Sequence, residues 1–357
     1  MEKISVVIPA YNAENTIEKA VLSAWEQTGP EKEILVVDDG STDGTPALLC
    51  TLQEKIPELK VIRQENSGVS AARNAGIGAA AGRWLVTLDD DDWIDPGMFS
   101  RMTEYALDHG CGMVICGMKL VYPDRTETYC PAAETVPDRA SFLEKELLPL
   151  YDAHLLTTHS NKLYDMEIIR REGLRYDPDL RINEDIDFVL RYLNCCPSVG
   201  IVREPYLNYL QHGAGQSLIT TFQPNGIDSS LLLVRDAEAL FDGVCAGTGK
   251  ETGTESGKEA EPGTVSALAA ARQGMLHRLL VHVLSFAGIL YYRSPLNNDE
   301  KLAELRRLNS RADFRELLRK TKPQDLKTAA ARFLLLSRQE RLYHTVCRIM
   351  YRRMRQG

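Results

Sequence analysis

Val86-Thr87-Leu88-Asp89-Asp90-Asp91-Asp92-Trp93 is an apolar strand that runs directly into four consecutive carboxylates. Neighbouring charges about 6 Å apart repel by roughly 1–3 kcal/mol at effective dielectrics between those of water and a protein surface, so a strand end that collects four of them asks for a cation. Oxygen-only ligands suit Mg²⁺ or Mn²⁺, hard ions that keep part of their coordination for water and for the phosphates of a substrate. The alternative is a solvated acidic turn. Asp95-Pro96-Gly97 supports it in part, with Asp95 read as the N-cap and Pro96 as the first residue of a helix;. That accounts for one carboxylate and leaves the other four.

Upstream, Ile4-Ser5-Val6-Val7-Ile8-Pro9, Glu33-Ile34-Leu35-Val36-Val37 and Lys60-Val61-Ile62-Arg63 read as strands, the first two apolar enough to be covered on both faces;. Between them the spacing predicts helices. One is capped by Asn15, with Ile17, Ala20, Val21 and Ala24 facing inward; another is opened by Thr45-Pro46; a third is the small-residue stretch Ser67 to Gly76;. This alternation predicts an α/β layer structure, a Rossmann-like and mostly parallel sheet flanked by helices. Ligands bind such sheets beyond the carboxyl ends of the strands. Here those ends carry Pro9-Ala10-Tyr11-Asn12, Asp38-Asp39 and Asp89 to Asp92, which parallel strands bring to one edge.

No Walker loop and no G-x-G-x-x-G after a strand is present, so phosphates must be held by metal and arginine;. Arg73 is the best placed cation of the first hundred residues, though its spacing fits a surface arginine as well. Beyond Gly110 the pattern weakens. Gly112 to Gly117 reads as a further strand, and Asn183-Glu184-Asp185-Ile186-Asp187-Phe188 opens a helix with carboxylates in its first turn. Those acids either complement the helix dipole or supply a general base above the crevice. Residues 226–242 read as a helix, and Gly243 to Ser266, rich in Gly, Thr and Glu, as a flexible insert. The remainder reads as three helices, Ala267 to Tyr292, Asn298 to Thr321 and Leu326 to Met354.

The net charge of −8 is unevenly spread: from Lys320 to Gly357 there are ten Lys and Arg against two Asp and Glu, which leaves the first 319 residues at −16. An acidic body without aromatics interleaved among basic residues excludes a nucleic-acid binder. The basic amphipathic tail either makes a peripheral membrane contact or packs on the acidic body. No span-length apolar run and no leader pattern is seen, and eight cysteines without C-x-x-C spacing read as free thiols, so a cytoplasmic protein is expected, peripheral on the inner face of the membrane if the tail binds there;.

Five blocks together resemble the inverting family 2 glycosyltransferases of GT-A fold: Ser5 to Asn12 (S-V-V-I-P-A-Y-N), Val36 to Thr45, Asn66 to Gly76, Leu88 to Pro96 and Asn183 to Phe188. The resemblance covers roughly residues 1–225 and implies a catalytic domain there, 1–110 binding the nucleotide and 111–225 the acceptor, followed by a helical region over 267–357. It implies transfer of a hexosyl or N-acetylhexosaminyl group from a nucleotide-sugar donor, a UDP-sugar by expectation. The acceptor would be a glycan, a lipid-linked sugar or another hydroxyl, in cell-surface polysaccharide or glycolipid assembly. By position, Pro9, Ala10, Tyr11 and Asp39 would hold base and ribose, Asp90 would join the nucleotide contacts, and Arg73 would lie near ribose or diphosphate. Asp89 and Asp91 match the outer positions of the D-x-D motif, with Asp91 the more direct ligand of Mn²⁺ or Mg²⁺. Asp185 matches the general base, Glu184 supports it, and His212 and Ser217 sit where the diphosphate or acceptor is approached. The Q-x-x-R-W motif of processive synthases is missing, which implies single addition. Two alternatives remain, a non-catalytic nucleotide-sugar or glycan-binding module and a nucleotidyltransferase, which would show a Gly-rich loop where Tyr11-Asn12 stands.

Overall fold

A computed structural model describes residues 2–211, 225–247, 262–292 and 294–354. Four strands, β1 (Lys3–Ala10), β2 (Glu31–Asp38), β3 (Leu59–Arg63) and β4 (Trp84–Thr87), run parallel in the order β3-β2-β1-β4. Ile4, Val6, Val7 and Ile8 of β1 and Ile34, Val36 and Val37 of β2 have no exposed surface, because layers cover both faces;. The crossovers are helices α1 (Ile17–Trp25), α2 (Thr45–Lys55) and α3 (Val69–Ala79). Ile17, Ala20, Val21 and Ala24 of α1 face inward as their spacing predicts. Register pairs Ala10 with Asp38 and Val7 with Thr87, so Tyr11, Asp39 and the aspartates after β4 leave the sheet along one edge.

The rest of the sheet is mixed. It continues β4-β8-β6-β9-β5, with β7 on β6, through β5 (Trp93–Ile94), β6 (Met113–Val121), β7 (Thr126–Tyr129), β8 (Lys162–Asp165) and β9 (Val199–Leu210). β8 is antiparallel to both β4 and β6, whereas β6 and β9 are parallel. The expected parallel arrangement therefore holds through the first four strands and ends where regular strand-helix alternation ends, since only crossover helices impose it.

Several local expectations are corrected. Helix α4 (Met98–His109) starts after Gly97, not after Asp95. Asp95 instead pairs with Lys119 and accepts Asn208 Nδ2 at 2.7 Å, tertiary partners that outweigh a cap. Thr16, not Asn15, precedes α1. The segment expected as one helix from 298 to 321 is two, Asn298–Ser310 and Ala312–Lys320, and that from 326 to 354 is Leu326–Leu336 and Glu340–Met354, broken where Arg338 takes a φ of +56°. Both ends of the expected insert are helical, in Gly226–Gly247 and Pro262–Tyr292, while 248–261 lie outside the described residues. The chain divides into two compact units, Met1–Leu180 with Glu184–His212, and Arg181–Asn183 with Gly213–Gly357.

Candidate active site

Arg73 is the hub of the sheet edge. α3 enters after Gly68 at a φ of +90°, and it lies so close to the sheet that a Cβ on Gly76 would overlap Val7 Cγ1 and come within 3.3 Å of Val37 Cγ2. This close seat buries Arg73 to 3% exposure. Its Nη2 donates to Asp89 Oδ1 at 2.8 Å, and its Nη1 donates to Glu184 Oε1 and Asp185 Oδ1, both at 3.1 Å. Three stretches far apart in sequence thus meet on one guanidinium, which also lies 5.1 Å over the Tyr176 ring.

A second residue able to carry positive charge faces the same carboxylates and bears no sequence motif. His159, 1% exposed, places Nδ1 2.9 Å from Asp185 Oδ1 and 3.1 Å from the Tyr176 hydroxyl, and Nε2 3.4 Å from Asp89 Oδ1 without hydrogen-bond alignment. Its loop is tied down by Lys162, fully buried on β8, whose Nζ donates to the Leu155 carbonyl at 2.8 Å, to Asn161 Oδ1 at 2.8 Å and to the Thr158 carbonyl. Burial pushes the Lys162 ammonium down to about 7. The available signal was the polar run Thr157-Thr158-His159-Ser160-Asn161-Lys162 entering an apolar strand, which composition alone does not tell from a loop.

These cations sort the carboxylates. Burial drives Asp89 and Asp185 toward the neutral form, but Arg73 and His159 outweigh it and hold both below the ordinary range;. Glu184 is displaced upward, by burial first and by the Asp185 charge second, with Arg73 opposing. Of the adjacent pair, Asp185 is the one held below the ordinary carboxylate range, and its side chain is 32% exposed. Among the remaining aspartates, burial and then the Asp91 charge push Asp90 up to about 7, and its Oδ2 accepts the Tyr11 amide at 3.2 Å. Asp92, 2% exposed, accepts the Leu210 amide at 2.9 Å through Oδ1 while its buried Oδ2 finds no hydrogen-bond partner among the described residues. Burial, then Asp89 and Asp91, raise it well above the usual carboxylate value.

The other predicted nucleotide residues divide. Pro9 and Ala10 end β1 and Tyr11 stands 49% exposed at the edge. Asp39 is 3% exposed and already accepts Gln64 Nε2 at 2.7 Å and the Ser67 and Gly68 amides at 2.8 Å each. Its first task is to shape the loop that leads into α3, leaving room for about one further donor. His212 and Ser217 lie outside the described residues.

Among the described residues no three His, Cys, Asp or Glu side chains group to hold a metal by themselves. Magnesium-like ions are commonly held by one or two carboxylates together with substrate phosphates, and the hard oxygen donors of Asp89 and half-buried Asp91, beside the orphaned Asp92 Oδ2, fit that mode;.

The model of the family described as Glycosyl transferase family 2 matches residues 5–172. The succinoglycan biosynthesis protein ExoO of Rhizobium meliloti (strain 1021) is 32% identical over 64% of this chain and 66% of its own. EpsH of Bacillus subtilis (strain 168), a candidate glycosyltransferase by name, is 31% identical over 67% and 69%. The chain thus spans about two thirds of each relative. Crystal structures of residues 1–349 of TarS from S. aureus share the fold: the complex with UDP has a TM-score of 0.69 at 18% identity, covering 98% of this chain and 91% of that one. The complex with UDP-GlcNAc has a TM-score of 0.70 at 16% identity, covering 99% and 92%.

Proposed function

Because this chain belongs to glycosyl transferase family 2 and has the GT-A-type fold, we propose that it moves one sugar from a UDP-sugar to an acceptor hydroxyl with inversion at the anomeric carbon. The observation that carries the reading is the meeting of Asp89, Glu184 and Asp185 on Arg73, with His159 against Asp89 and Asp185, at the carboxyl edge of β1, β2 and β4. In-line displacement needs a base on one side of the anomeric carbon and charge neutralisation on the other. Asp185, held below the ordinary carboxylate range and partly exposed, is the base, and Glu184 beside it supports it. Tyr11, Pro9, Ala10 and the loop shaped by Asp39 receive base and ribose, and Asp90 orders that strand end through the Tyr11 amide. Asp91 with Asp89 holds Mn²⁺ or Mg²⁺, whose chemistry when bound is to neutralise the departing diphosphate. Arg73, which bridges Asp89 to Glu184 and Asp185, lies near the ribose or diphosphate in this reading.

The UDP-bound and UDP-GlcNAc-bound neighbours support the choice of donor, and ExoO, by its name, supports polysaccharide assembly as the setting. The test is calorimetry and a transfer assay across UDP-, GDP-, dTDP- and CDP-sugars with and without Mn²⁺. We expect UDP-sugars to bind and turn over, and Asp185→Asn to keep UDP binding within about threefold while losing transfer. Normal turnover in that variant removes the base assignment; UDP binding without turnover of any donor makes the chain a binding module.

A further inference from the structure

The two C-terminal helices each bury one face and keep a second apolar line outside. In Leu326–Leu336, Thr328 and Leu335 point inward, while Leu326 and Phe333, two turns apart on one side, are 90% and 67% exposed;. In Glu340–Met354, Tyr343, His344 and Cys347 are buried, while Leu342, Val346 and Ile349, spaced i, i+4, i+7, are exposed. Of the nine exposed large apolar side chains among the described residues, five fall between 326 and 349. Two consecutive helices that pack on one another thus carry more than half of these exposed apolar side chains, a concentration that points to an interaction surface;. The charge beside it is mostly positive: exposed Arg341 and Arg348 run along one side of the Leu342 line, and from Lys320 to Gly357 ten Lys and Arg stand against only Asp325 and Glu340.

We infer that this face docks on an anionic lipid bilayer. Apolar side chains bordered by arginines match the boundary between acyl chains and anionic phosphate headgroups. None of the helices among the described residues is long and apolar enough to cross a membrane, so the contact is one of lying on the surface. Net charge cannot produce it, since the whole chain carries −8; the attraction is local to this patch.

The inference does not depend on the transferase reading and is tested on the full chain by co-sedimentation with vesicles of phosphatidylcholine alone or with about one third phosphatidylglycerol. We expect at least tenfold stronger binding to the anionic vesicles in low salt, weakening as salt is raised. Phe333→Ser with Ile349→Ser, and separately Arg341→Glu with Arg348→Glu, should each reduce it tenfold or more with an unchanged unfolding midpoint. If the first pair misfolds, Leu342→Gln with Val346→Gln replaces it. Equal binding to both vesicles, or binding that the variants leave intact, overturns the proposal. So does a dimer seen by light scattering that the same variants dissolve, which would assign the face to a second copy.

Discussion

Arg73 and His159 hold between them the two carboxylates on which the proposed chemistry turns, yet only Arg73 could be singled out from sequence. His159→Ala is expected to lower kcat by about 10²-fold, the scale of a mispositioned base, while UDP affinity measured by calorimetry stays within threefold. His159→Gln, which keeps a donor toward Asp185, should recover part of the loss; equal damage in both variants would show that the imidazole serves packing alone. Glu33 makes a different prediction. It is buried, accepts Ser5 Oγ, Lys60 Nζ and the Ala81 amide at 2.7 Å each, and although burial opposes ionisation these bonds bring it from 4.5 down to about 2. Since the folded value is depressed, the stabilisation is present above the unfolded value near 4.5 and is lost as pH falls toward 2. Glu33→Gln should therefore cost about 2 kcal/mol at pH 7, allowing for the exposure of Lys60, and the gap to the parent should close below pH 3 in urea titrations.

α3 shows how one small residue sets an element's position. Its small-residue composition is legible from Ser67 to Gly76, although the helix runs from Val69 to Ala79, and the reason for Gly76, contact with Val7 and Val37, exists only in the packed structure. Gly76→Ala improves helix propensity and should still destabilise the protein by about 1–3 kcal/mol, because the added methyl overlaps Val7; an unchanged midpoint in denaturant would mean that the helix can shift freely. Such a shift would also displace Arg73, so transfer activity should fall further than stability. The α4 start illustrates the converse. Asp95-Pro96-Gly97 has a good local cap signal, and Lys119 and Asn208 take the carboxylate elsewhere.

For the whole molecule, the carboxylate edge should behave as a site completed by its ligands. UDP at a hundredfold excess over its Kd should stabilise the protein by about 2.7 kcal/mol, visible as a rise in unfolding temperature that requires Mn²⁺ and disappears in Asp91→Asn. A rise independent of metal would detach Asp91 from the nucleotide. Sequence by itself determined the parallel first half of the sheet, its buried strands, the shared edge of Tyr11, Asp39 and Asp89 to Asp92, and the family, since these rest on local periodicity and on blocks confined to short windows. The mixed second half, the breaks at Arg311 and Arg338, and the convergence of residues 73, 89, 159 and 185 were decided only by tertiary structure. Antiparallel pairing and ion pairs between residues over a hundred positions apart leave no periodic trace in the chain, because what selects them is the burial of charge in three dimensions and not the spacing of apolar side chains.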